Sequence, residues 1–137
     1  MAPMTKESIE ASIAKAEADV HAKRLELAHH DQTLAQVARD ADEDVIPLKR
    51  ERTLLDGQRA ALANRKKAGD VAPADADELD RDLKAEVARL ATRIDDQTKA
   101  WRAKHKVEAD DRAKTEKELV ELEAGLAIDR RLLARLR

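Results

Sequence analysis

Lys67-Ala68-Gly69-Asp70-Val71-Ala72-Pro73-Ala74-Asp75 interrupts an otherwise helix-forming chain near its middle. Gly69 can take the left-handed backbone that ends a helix, and Pro73 blocks its continuation. Asp75, followed three residues later by Glu78, resembles a capping box from which a second helix starts. The stretch predicts a helix over about 5–68, a loop over about 69–74 and a helix over about 75–136. Each helix has roughly 60 residues, or about 90 Å at 1.5 Å rise per residue. Because the loop is short, the two should run antiparallel.

Upstream of the loop, apolar residues recur every seven positions: Ile13, Val20, Leu27, Leu34, Ala41, Leu48, Leu55 and Leu62. A strict seven-residue repeat over that distance predicts a left-handed supercoiled seam. The companion position three residues on is mixed. Ala16 and Val37 are apolar there, whereas Lys23, His30, Asp44, Glu51 and Gln58 are polar, so the seam is narrow and partly wet. Downstream, a matching stripe runs through Leu79, Leu83, Val87, Leu90, Ile94 and Trp101, then resumes at Leu119, Leu122, Leu126, Leu133 and Leu136. Between Lys104 and Thr115 it fades, with Val107 the main apolar exception.

Composition agrees with this reading. Charged residues make up 41% of the chain, Gly and Pro number 3 each, and Trp101 is the only aromatic. Such a chain suits long helices and lacks the large rings on which a compact globule draws. The expected architecture is therefore all-α: one elongated domain over 1–137, built as a long antiparallel coiled-coil hairpin. A register in which partner numbers sum to 142 sets Leu48 against Ile94, Leu55 against Val87, Val20 against Leu122 and small Ala41 against large Trp101. It also lays acidic Asp40–Asp44 across from basic Lys99–Lys106.

Pro47 falls inside the first helix. A mid-helix proline removes a hydrogen bond and crowds the preceding turn. The repeat stays in phase from Ala41 to Leu48, which predicts a kink near Pro47 rather than a break into three helices.

The net charge of −2 excludes a global basic field. Cysteine is absent, so disulfides and thiolate metal sites are excluded. No apolar run reaches the length of a membrane span or signal-peptide core, which predicts an intracellular, cytoplasmic, soluble protein. No cofactor or metal is expected. His29 and His30 point about 100° apart on a helix and cannot ligate from one face. A Glu26–His30 pair one turn apart is as readily a surface contact. An enzyme site would need a pocket, which two paired helices do not offer.

Three sets of residues are candidates for binding a partner. Lys99, Trp101, Arg102 and Lys106 place cations around an aromatic, a pattern that can contact phosphates and stack on a base. Because Trp101 lies on the apolar stripe, packing with Asp40–Asp44 as counterions is the favoured role. Arg130, Arg131 and Arg135 flank Ile128, Leu132, Leu133 and Leu136 in an amphipathic tail. That tail could dock on an acidic partner or a membrane surface. It more simply closes the helix pair against Ile9, with its arginines meeting Glu7 and Glu10. Leu25 and Ile46 lie off the stripe, on the outer face, and predict pairing of two hairpins into a four-helix homodimer, since a lone helix pair buries little surface. The expected function is that of a non-enzymatic scaffold, spacer or assembly factor binding itself and another protein. A nucleic-acid-associated protein using the patch around Trp101 and the C-terminal arginines is the alternative, and membrane binding ranks below it.

Overall fold

Two long helices account for 96% of the described residues, 5–136, in a computed structural model, with no strand among them. Helix α1 spans Lys6–Ala68 and helix α2 spans Pro73–Leu136, and the two pack against each other. Contacts group into two compact units. Unit 1 joins the start of α1, through Gln36, to the end of α2 from His105 onward, and unit 2 is the hairpin Val37–Lys104.

The start of α1 is closed by a reciprocal pair. The Ser8 backbone N–H donates to Thr5 Oγ1 at 3.1 Å and the Thr5 N–H donates to Ser8 Oγ at 3.0 Å. This is capping-box geometry with serine in the place usual for glutamate. At the other end Gly69 has φ +79°. The Gly69 N–H donates to the Lys66 carbonyl at 3.2 Å and the Asp70 N–H to the Arg65 carbonyl at 3.0 Å, the two bonds of a Schellman motif.

The restart differs from expectation by two residues. α2 begins at Pro73, not Asp75, with Ala72 as the cap residue whose carbonyl accepts from the Ala76 N–H at 3.0 Å. Proline at a first helical position gives up an N–H that would have had no partner there, so Pro73 starts the helix rather than delaying it. Asp75 then falls in the first turn, where its charge suits the helix dipole. Val71, just before the cap, packs on the cluster that contains Ala76, in the manner of a hydrophobic staple.

Helix α1 continues through Pro47 without interruption, so the three-helix alternative does not hold. Pro47 is exposed. The ring leaves the Glu43 carbonyl without its helical donor, at a position where water can supply one.

Inside unit 2, Leu48, Leu55 and Leu62 of α1 are buried with Ala76, Leu83 and Leu90 of α2, and Val87 and Ile94 pack against them. Inside unit 1, Val20, Leu119 and Leu126 are buried, flanked by Ile13, Ala16, Leu27 and Leu122. Two members of the expected second stripe fall outside it, since Leu79 is 48% and Leu136 52% exposed. Seven residues before Leu83 is Ala76, which retains 2% exposure and takes the seam position that Leu79 was expected to fill.

The direction and register of the helix pair follow from polar contacts. In unit 1, Ser12 donates to Asp129, Lys23 pairs with Glu118 and Arg112 with Asp31. In unit 2, Trp101 donates to Asp44, Arg59 pairs with Asp80 and Lys66 with Asp77. Partner numbers in these pairs sum to between 139 and 145, bracketing 142.

Candidate functional surfaces

Trp101 sits half-buried in unit 2, and its indole Nε1–H donates to Asp44 Oδ2 at 3.0 Å. The Lys104 ammonium lies over the ring, 5.0 Å from its centre. One polar edge and one face of the indole are thus engaged within the protein. Lys99 pairs with Asp95 one turn away on its own helix at 3.6 Å, where a partner in Asp40–Asp44 was expected. The i,i+4 spacing supplies a nearer carboxylate than the facing helix does. Arg102 is exposed in the same unit, and Lys106 is exposed in unit 1.

In the tail, Arg130 pairs with Glu17 at 3.1 Å rather than with Glu7 or Glu10. Glu10 is engaged by Lys6 on its own helix, at 3.9 Å. Arg131 and Arg135 are exposed. Ile9 is buried as expected, and Leu133 is half-buried, whereas Ile128 and Leu132 stay 59% and 39% exposed. Leu133 continues the seven-residue spacing of buried Leu119 and Leu126, whereas Ile128 and Leu132 stand on a neighbouring row, so only part of the tail closes onto α1.

The polar part of the unit 1 seam centres on Thr115, which is 3% exposed. Its hydroxyl lies 3.2 Å from His30 Nε2 and donates to Glu26 Oε1 at 3.4 Å. His30 Nδ1 is 4.0 Å from Glu108 Oε2. The two carboxylates approach opposite ring nitrogens, an arrangement that cannot converge on one ion, and no metal-holding cluster occurs among the described residues. Nearby, two hydrogen-bonded carboxylates hold the Lys23 ammonium above its ordinary value, Glu118 contributing more than Glu26. The same bond holds Glu118 below the usual carboxylate range. In unit 2 the Arg59 guanidinium does this to Asp80.

Leu25 in unit 1 is 61% exposed, and Ile46 in unit 2 is 41% exposed. Ile46 has a companion that the periodicity does not single out. Leu54, 69% exposed, shares with Ile46, Lys49, Arg50 and Thr53 a shallow, largely apolar concavity on α1. The available signal was the Leu54-Leu55 doublet, since adjacent helical residues point about 100° apart and only one of the two can face the seam. Leu79 on α2 is likewise solvent-facing, among Asp75, Glu78, Asp82 and Glu86.

No helix among the described residues is long and apolar enough to cross a membrane. Comparison with protein-family models, curated proteins and solved structures finds no match.

Proposed function

We propose that the chain is a non-enzymatic interaction protein, a scaffold, spacer or assembly factor that partners read through its helix faces. The observation that carries this is the set of large apolar side chains off the buried seam, above all Ile46 and Leu54 side by side on α1. Contiguous exposed apolar surface beside polar residues marks sites of association. In this reading the helix pair is a coiled coil bent at Pro47, hairpins pair into a homodimer, and the protein works inside the cell. Charged substitutions at Leu25, Leu54 and Ile128 test it, because each side chain is exposed and adds little to the fold. These variants keep wild-type helicity and lose protein partners. Partners retained by all three variants would contradict the proposal.

The nucleic-acid alternative would use Lys99, Trp101, Arg102 and Lys106 with the C-terminal arginines. The indole's bond to Asp44 and its contact with Lys104 weigh against it, because they engage the Nε1–H edge and one face of the ring within the protein. Binding that falls steeply with added salt and is abolished by charge reversal at Lys99, Arg102 and Lys106 would reinstate it.

A further inference from the structure

Resting on that reading, we infer that the last turns of α2, within unit 1, are a docking surface for an acidic amphipathic helix of another protein. The surface begins with a row of apolar residues four apart, Val120, Ala124, Ile128, Leu132 and Leu136. All five are exposed, Val120 and Ile128 at 59% each. The seam of this part of α2 is already filled, because Leu119 and Leu126 are buried and Leu122 and Leu133 half-buried. The row is therefore surplus to the pairing with α1. Residues four apart form the ridge that one helix sets into the groove of another, most often at a crossing angle of about −50°.

Charge selects the partner. From Ala124 to Leu136 the only carboxylate is Asp129, and it accepts a hydrogen bond from Ser12 at 2.7 Å. Arg130 is held by Glu17 across the seam. Arg131 and Arg135 are exposed, one turn apart, and make no ion pair among the described residues. Arg131 lies three residues after Ile128, so the two arginines form a second row beside the ridge, on the side away from α1. The face thus offers apolar contact bordered by two unpaired guanidiniums, each able to take a carboxylate through two parallel hydrogen bonds. A helix with an apolar groove and carboxylates one turn apart along its border complements both rows. A nucleic-acid backbone has no apolar counterpart for the ridge. A bilayer surface calls for a broad apolar face, whereas α1 covers the other apolar stripe of α2 and leaves one row, with Glu121 exposed beside it. Antiparallel two-fold pairing of this ridge with a second copy would lay one arginine row on the other.

Fluorescence anisotropy on the full chain tests this with a labelled peptide of about 20 residues, long enough to form a helix, built from Glu-Ala-Leu-Glu-Ala-Leu-Ala repeats. Wild type binds it about tenfold or more tightly than the same peptide with lysine in place of glutamate. Arg131→Glu/Arg135→Glu inverts that preference, and Ile128→Ser/Leu132→Ser weakens binding about tenfold or more. All four substitutions are at exposed positions, and circular dichroism checks that helicity is kept. Equal binding of the two peptides, or a preference untouched by the arginine reversal, would overturn the inference. So would a ridge that takes phosphatidylserine vesicles and not the peptide, or one that a second copy occupies in sedimentation equilibrium. A chain that ignores the acidic peptide but still loses cellular partners on charged substitution at Leu25 or Leu54 would overturn this surface while leaving the functional proposal standing.

Discussion

Leu54 and Leu55 are neighbours in the chain, yet one is 69% exposed and the other 8%. The difference comes from the helix itself, which turns adjacent side chains about 100° apart and lets only Leu55 join Leu48, Leu62, Leu83 and Leu90. Leu55→Ala should therefore cost about 2–4 kcal/mol in urea unfolding, from lost burial and the cavity left behind. Leu54→Ala should change stability by less than about 0.5 kcal/mol. Equal costs at a concentration where the chain is monomeric would contradict the exposure of Leu54 on the helix pair. The sequence stripe names Leu55 correctly but also includes Leu79, which lies four residues before Leu83, whereas the buried position is Ala76, seven before it. Burial follows the seven-residue spacing from Leu83, and spacing overrides side-chain size. Charge contributes at this scale too. Asp80 is held below its ordinary value of 3.8 by Arg59, and Glu118 below 4.5 by Lys23. Their pairing contributes fully above those ordinary values and is lost as pH falls through the depressed ones. Stability should therefore decline in acid below about pH 4, and Asp80→Asn should flatten part of that limb in thermal melts. An acid limb unchanged in the variant would show that Asp80 makes no net contribution.

Helix ends were readable from local chemistry where a residue type has one dominant use. Gly69 was expected to end α1 and does so with φ +79°. A Cβ there would meet no atom within 4 Å, so Gly69→Ala bears only the backbone penalty of the left-handed region, about 1–2 kcal/mol by denaturation. Pro73 was read as a stop and acts as a start, because proline is tolerated in a first turn as well as beyond a last one. The Thr5–Ser8 cap went unnoticed because a serine at the third helical position is a weaker signal than glutamate. Pro47 is the remaining local conflict: α1 keeps its helical pattern through a residue that withholds a donor. Pro47→Ala should stabilise the protein, by up to about 3 kcal/mol in urea unfolding. A destabilised variant would show that the turn is adapted to proline's fixed φ.

At the level of the whole molecule, the antiparallel pairing and its register were legible because loop, seven-residue repeat and charge pattern all agree on one alignment. The candidate surfaces were less so. Periodicity identifies which residues leave the seam, and thereby pointed to Leu25 and Ile46, but it does not say which exposed residues become neighbours. The patch of Ile46 with Leu54 depends on positions eight apart sharing a surface with the stems of Lys49 and Arg50. The expected match of Asp40–Asp44 with Lys99–Lys106 was resolved differently for Lys99 and Trp101. Trp101 bonds Asp44, while Lys99 turns to Asp95 on its own helix. Sequence spacing could not weigh a carboxylate one turn away against one on the facing helix. The claim that this chain works by presenting helix faces to other proteins is tested most directly by affinity capture of the tagged chain from its native cells, with and without nuclease, read by mass spectrometry. The account predicts stoichiometric protein partners that survive nuclease. Partners that vanish on nuclease treatment, leaving bound nucleic acid, would contradict it and make the cations around Trp101 the working site.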